Sequence, residues 1–107
     1  MTAEKLFKIA LEIAGYSAND IFETTDISEK LLSIVNTIYA DIHYLTKTDE
    51  FIPLDNASQS LDLSEKSIND CAIYGVAYLI QNILGSTSDY TVFENMYNFK
   101  NHLNILN

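Results

Sequence analysis

A chain of 107 residues with 48% apolar content is the size of one domain and can form a hydrophobic core. Its net charge of −9, from 15 acidic residues against six lysines and no arginine, argues against binding nucleic acid by neutralising phosphates. The longest apolar run is far shorter than the roughly 20 residues of a membrane span, and Cys71, as the only cysteine, cannot form an intrachain disulfide, so we expect a soluble protein that stays in a reducing compartment where it is made.

Four segments carry apolar residues at helical spacing, which predicts helices over about residues 3–14, 28–46, 65–84 and 88–106. Thr2 is placed to cap the first helix, and Gly15 to end it. The first helix has two apolar stripes, Leu6, Ile9, Ala10, Ile13 and Phe7, Leu11, Ala14. Connector residues Ile21 and Phe22 are expected to anchor on the core. The second helix has one apolar stripe, formed by Leu31, Val35, Ile38, Ile42 and Leu45. The fourth helix has a similar stripe, formed by Val92, Met96, Phe99, Leu103 and Leu106.

The third predicted helix is apolar on most of its sides, which is typical of a buried central helix. Its two adjacent stripes are Ala72, Val76, Leu79, Ile83 and Ile73, Ala77, Ile80, Leu84. Leu79 and Ile83 lie where these stripes converge, so we expect both in the core. Cys71 is expected to be a small core residue of the same helix.

Almost the same pentapeptide occurs twice in the sequence, as "DISEK" at 26–30 and "DLSEK" at 62–66. In both copies an Asp or Ser is placed to accept hydrogen bonds from a first helical turn, with Glu in capping-box spacing. The residues that follow, "LLSIV" and "SINDC", differ. The repeat therefore predicts two helix starts and gives no sign of duplication.

Residues 47–64 connect the second and third helices and contain Pro53, the only proline. Their apolar residues are spaced for extended chain, with the turn formers "DNAS" between them. The sequence therefore predicts an all-α, four-helix single domain over residues 1–107, with an extended arm or a small hairpin at 47–64.

Chemical motifs are absent from the sequence. No metal-binding or phosphate-loop spacing occurs, and an acid–base pair among Asp49, Glu50 and Asp55 is a chance arrangement in a chain this acidic. We expect no catalytic residue, no cofactor and no metal. Aromatic and apolar residues beside the main stripes or on the arm are instead candidates for an interface. They are Phe51, Ile52, Leu54, Tyr90, Phe93 and Tyr97.

The segment "LDLSEKSINDCAIYGVAYLIQNILG" at 61–85, followed by "SDYTVFENMYNFKNHL" at 88–103, resembles the small head–tail connector (adaptor or head-completion) proteins of tailed bacteriophages and prophages. The resemblance lies in the order of elements and in the small residues Ala72, Gly75 and Ala77 of the third helix. Arginines that are common in such proteins are missing here.

The resemblance implies a non-enzymatic virion structural protein that forms a ring, commonly of twelve subunits, below the portal protein of the DNA-filled capsid. Expected partners are other copies of the chain, the portal protein and a tail or stopper protein, without sequence-specific nucleic acid or membrane. The protein would lie in the head–tail neck of the virion, or in the host cytoplasm during assembly. The last helix would reach the portal, and the loop at 47–64 would contribute to the ring or to its tail-facing end.

Two other functions fit the same residues. One is a small inhibitor whose acidic face mimics DNA. The other is a helical regulatory or scaffold module that works by binding a partner.

Overall fold

The computed structural model describes residues 1–18, 26–84, 93–95 and 97–98, and these residues form an all-α fold, as predicted. Helix α1 spans Ala3–Ile13, and helix α2 spans Leu31–Thr46 directly after a 3₁₀ helix at Asp26–Lys30. Helix α3 is continuous but has three parts: Glu65–Ser67, a π-helical turn at Ile68–Ala72, and Ile73–Leu84. Residues 93–95 and 97–98 are also helical and belong to the fourth predicted helix.

Helices α1 and α3 run side by side in the same direction. Met1 and Lys5, at the start of α1, line one groove with Ile68 near the start of α3. At the other end, the side-chain amide of Gln81 donates a hydrogen bond to the carbonyl of Ala14 at 3.1 Å. Gln81 is buried, and its amide oxygen has no hydrogen-bond partner among the described residues.

Helix α2 packs on the other two helices and runs antiparallel to α3. Ile38, midway along α2, approaches Gly75 near the middle of α3, while Lys47, at the end of α2, contacts Asp62 just before α3 begins. The core forms between the three helices. Its largest fully buried side chains are Leu6, Phe7, Leu11, Val35, Ile38, Ile42, Cys71, Val76 and Ile80.

The end of α3 is less buried than predicted. Ile83 is 42% exposed and Leu79 is only partly buried, whereas Ile73, Ala77 and Ile80 are buried. For Ile83 the reason is that α1 ends opposite Gln81, so the last turn of α3 extends beyond that helix. Leu79 lies before that point, on a side of α3 that is only partly covered. Hydrophobic spacing identifies a helix face, but it does not show where the neighbouring helix stops.

Two other stripe residues are exposed. Ile13 and Leu45 lie in the last turns of α1 and α2, and each is about two-fifths exposed. Most of the earlier stripe residues of these helices are buried as predicted, whereas Ile9 is half-buried. The buried ones include Leu6, Phe7 and Leu11 of α1 and Leu31, Val35, Ile38 and Ile42 of α2.

Gly75 allows a close approach between helices. A Cβ atom at this position would lie 2.8 Å from Cε1 of Tyr97 and 2.9 Å from Cδ1 of Ile38. Tyr97 is consequently buried, with 7% of its surface exposed, and its hydroxyl donates to a carboxylate oxygen of Asp41 at 3.2 Å. Tyr97, an interface candidate from the sequence, is therefore a core residue, because the missing side chain of Gly75 leaves room for its ring.

The two copies of the pentapeptide both precede helices, but only one supplies a side-chain cap. Ser64 accepts a hydrogen bond from the backbone N–H of Ser67 at 3.1 Å, as expected for an N-cap residue. In the first copy the residues form a 3₁₀ helix, and Lys30 precedes α2 without a capping side chain. The first copy therefore starts its helix through a tighter helical turn.

The matched pair Ile80→Ala and Ile83→Ala tests the position of the core. Ile80→Ala should lower the free energy of unfolding by about 2–5 kcal/mol because it leaves a cavity. Ile83→Ala makes the same chemical change at an exposed site, and its effect should be under about 1 kcal/mol. Urea denaturation measures both. Equal losses would show that the end of α3 is as buried as its middle.

The close approach at Gly75 gives a second prediction. Gly75→Ala should destabilise the fold by about 1–3 kcal/mol through overpacking, although alanine favours a helix by about 1 kcal/mol over glycine. Adding Ile38→Val removes the Cδ1 atom that the new methyl meets, so the double variant should recover part of the loss. Strictly additive denaturation energies would argue against the clash.

Candidate functional site

The segment 47–64 forms a compact loop whose two ends are joined. The Lys47 ammonium donates to the Asp62 carbonyl at 2.8 Å and to its carboxylate at 3.1 Å. The backbone N–H of Asp62 also donates to the hydroxyl of Tyr39 on α2 at 3.0 Å. The base of the loop is thereby fastened to α2, and we call residues 47–64 the α2–α3 loop.

The far side of the α2–α3 loop is bound to the start of α1. The N–H groups of Ala3 and Glu4 donate to the carbonyls of Gln59 and Ala57, at 3.0 and 2.9 Å. The N–H of Leu61 donates in return to the carbonyl of Met1 at 3.1 Å. The predicted hairpin is therefore absent from residues 47–64, which lie folded against α1 and α2 with one isolated antiparallel bridge between Thr2 and Ser60.

Asn36 of α2 holds the centre of the loop at two points. Its side-chain oxygen accepts from the N–H of Leu54 at 2.8 Å, and its nitrogen donates to the Leu54 carbonyl at 3.0 Å. The predicted turn after Leu54 is held by its own polar side chains. Gln59 Oε1 accepts from the N–H groups of Asp55 and Asn56, and Asn56 Oδ1 accepts from the N–H of Ser58.

Phe51 fixes the first half of the loop by packing among aromatic side chains. Its ring centre lies 5.1 Å from that of Tyr39 and 5.5 Å from that of His43, both edge to face, and 6.1 Å from that of Tyr44. Such arrangements of aromatic rings are favourable beyond the area they bury.

His43 adds a polar contact to this aromatic cluster. It is buried, and its Nε2 lies 2.7 Å from the carbonyl oxygen of Asp49. A carbonyl can only accept, so Nε2 carries the hydrogen in this contact. The Asp49 carboxylate is 3.7 Å from the same nitrogen. His43 therefore holds the loop at Asp49 through these two polar contacts.

Ile52 projects from this loop with 75% of its surface exposed, and Tyr44 at the end of α2 is 65% exposed. The half-buried Phe51 links the two, since its ring lies 6.1 Å from that of Tyr44 and it precedes Ile52 in the chain, and we call the three residues the Ile52 patch (Tyr44, Phe51 and Ile52). Single exposed apolar residues are ordinary on protein surfaces, but neighbouring large ones are typical of interaction sites.

The six interface candidates fall into different environments. Phe51, Ile52 and Leu54 lie together on the α2–α3 loop, with Ile52 the most exposed. Phe93 is half-buried and stacks on Tyr74 of α3, with ring centres 6.4 Å apart, while Tyr97 is buried in the core. Tyr90 lies outside the described residues, as do Ile21, Phe22 and the stripe from Val92 to Leu106.

Tyr44 was missed by the sequence analysis. Tyr44 lies in the last turn of α2 but outside the predicted apolar stripe. An aromatic residue off the apolar face of a helix, just before a loop, could have indicated an exposed ring. Tyr44 also lines a shallow groove beside the patch, with Asp41, Leu45, Tyr97 and Asn98.

Two other kinds of site, a metal site and a membrane-spanning helix, are not found in the described ranges. No group of three or more His, Cys, Asp or Glu side chains there could hold a metal ion. None of the helices in those ranges is long and apolar enough to cross a membrane. Comparison with known proteins gives no match, since no family model, curated protein or solved structure is significantly similar to this chain. The Ile52 patch is therefore the strongest candidate site.

Asn36→Ala tests whether Asn36 holds the loop that carries the patch. Losing both hydrogen bonds to Leu54 should destabilise the protein by about 1–3 kcal/mol and speed amide hydrogen exchange at Leu54 and its neighbours. Thr37→Ala is the matched control, because the Thr37 hydroxyl bonds only within α2, to the Ser33 carbonyl at 2.7 Å. Unchanged exchange in the loop of Asn36→Ala would show that other contacts suffice.

Proposed function

We propose that this protein is a non-enzymatic structural subunit of the head–tail connector type, which assembles as a ring below a portal protein and links a DNA-filled capsid to a tail. The proposal rests on the sequence resemblance at 61–85 and 88–103 and on one structural observation. That observation is the exposed Ile52 side chain on a loop held by α1, α2 and its own turn.

A rigid loop is well suited to a subunit contact. Binding through a mobile loop would lose conformational entropy on association, whereas a loop already held in place loses little. The α2–α3 loop is held by Asn36, by the start of α1 and by the Lys47–Asp62 contact. Covering Ile52 and Tyr44 would remove apolar surface from water and so favour association.

Electrostatic repulsion opposes a ring of such subunits. Each chain has a net charge of −9, so closing many copies into a circle brings like charges together. Apolar contacts must offset that repulsion, and a binding partner would help to bring the subunits together. We therefore infer that the chain associates weakly alone and forms its ring on the portal protein.

The structure changes which residues are assigned to this contact. Tyr97 supports the fold from within the core, so the proposed contact is the loop surface formed by Phe51, Ile52 and Leu54. Phe93 remains a candidate at the last helix, which in this proposal faces the portal. The loop then contributes to the ring or to its tail-facing end.

A partner-binding regulatory module is the second candidate function. It is favoured by the small extent of the Ile52 patch, since a single compact patch fits one partner as well as a ring. The two functions differ in self-association, because a regulatory module of this kind stays monomeric at all salt concentrations.

Ile52→Asp tests the connector proposal. Raising the salt concentration should promote self-association of the unmodified chain by screening its charge, and Ile52→Asp should abolish that association while helical content and melting temperature stay nearly unchanged. Ile83→Asp is the matched control, since it adds the same charge at another exposed isoleucine. Light scattering across salt and protein concentration, with and without a portal protein, measures the outcome.

A strict monomer under every condition, with Ile52→Asp silent, would contradict the connector proposal and favour the regulatory module. Loss of association in both aspartate variants would attribute the effect to charge alone.

A further inference from the structure

Exposed carboxylates lie around the Ile52 patch. Asp41 lines the groove beside Tyr44, Asp49 is held next to the aromatic cluster by His43, and Glu50 precedes Phe51 in the chain. All three residues are exposed. The nearest lysine along the chain, Lys47, is engaged with Asp62. The patch is therefore an apolar centre with an acidic rim.

This charge arrangement selects among the possible occupants. Nucleic acid is disfavoured because its phosphates would meet the carboxylates. A second copy of the chain seated patch to patch would bring two acidic rims together, in addition to the repulsion of two chains of charge −9. A positively charged segment would instead find opposite charges at the rim and an apolar surface at the centre.

The exposed ring of Tyr44 favours the same occupant. A guanidinium or ammonium group over a tyrosine face is attracted by the negative charge of the ring face. Nearby carboxylates strengthen the attraction for a cation. The ring is supported from behind by His43, whose ring centre is 5.4 Å away edge to face. Tyr44 thus offers a supported aromatic surface within an acidic setting.

We propose that the Ile52 patch binds a short basic segment of a different protein, with an apolar side chain packed on Ile52 and Tyr44 and lysine or arginine side chains against Asp41, Asp49 and Glu50. This inference rests on the proposed function in taking the surface as a binding site, and it assigns the surface to a different protein in place of a neighbouring subunit. In a connector, such a segment belongs to a neighbouring neck protein.

Three short synthetic peptides test the proposal with the full chain. One carries lysines and two leucines in a serine background, the second has glutamates in place of the lysines, and the third has serines in place of the leucines. Fluorescence anisotropy should show binding of the first, with the other two at least about tenfold weaker. Amide shift changes in NMR spectra should centre on Tyr44, Glu50 and Ile52, and added salt should weaken the binding.

Matched variants separate the patch from general attraction to an acidic protein. Ile52→Ser and Glu50→Gln should each weaken binding of the first peptide about fivefold or more, by removing apolar contact and rim charge. The controls Ile13→Ser and Glu12→Gln make the same changes at exposed positions of α1 and should change it less than about twofold. Equal weakening by Glu12→Gln and Glu50→Gln, or shift changes centred elsewhere, would overturn the proposal.

Three further outcomes also test the proposal. Binding that appears only after residues 99–107 are removed would make the chain's own C-terminal segment the occupant and overturn the proposal. Absence of peptide binding, together with salt-promoted assembly that Ile52→Asp abolishes, would make the patch a subunit contact and leave the connector function standing. Peptide binding at the patch of a strict monomer would support the basic partner and defeat the connector function.

Discussion

The start of helix α1 and the α2–α3 loop satisfy each other's hydrogen bonds, and the position of the candidate site depends on this exchange. The first N–H groups of a helix have no partners within the helix. Here Thr2 Oγ1 accepts from the N–H of Lys5. The carbonyls of Gln59 and Ala57 accept from the N–H groups of Ala3 and Glu4, respectively. These hydrogen bonds to a helix that begins more than fifty residues earlier in the chain hold the loop in place, and they hold Ile52 with it.

Most of the helical fold could be predicted because it depends on apolar spacing and capping residues within short stretches of the sequence. The spacing of Leu31, Val35, Ile38 and Ile42 identifies one buried face of α2, and Ser64 marks the start of α3 through a polar side chain that caps nearby N–H groups. These signals depend only on residues a few positions apart. The all-α class and the loop at 47–64 followed from them.

The errors have a common cause, since each depends on contacts between distant parts of the chain. Ile83 carries the right spacing for a core residue, but α1 ends before reaching it. Tyr97 sits beside its apolar stripe, yet it is buried because Gly75, on another helix, has no side chain. Asn36 gave no signal at all, since a polar residue in a helix looks the same whether it faces water or holds the backbone of Leu54.

The candidate site was predicted in part. Phe51, Ile52 and Leu54 were recognisable as apolar residues on an extended segment with a proline, where burial is incomplete. The structure then separates their roles. Phe51 packs inward on Tyr39 and His43, and Leu54 is held through its backbone by Asn36. Ile52 follows Phe51 on the extended chain, where successive side chains point to opposite sides, and it therefore points away from the aromatic cluster.

The attachment of both Phe51 and Leu54 to α2 also explains why exposure at Ile52 is a property of the fold. Rotating Ile52 inward would remove the ring packing of Phe51 and the paired hydrogen bonds of Leu54. Two polar groups left unpaired, at about 1–3 kcal/mol each, together with the lost ring packing outweigh the about 1.5–3 kcal/mol that burying one isoleucine side chain returns. An apolar side chain that its own chain cannot cover is best covered by another molecule, and the carboxylates around it bias that molecule toward positive charge.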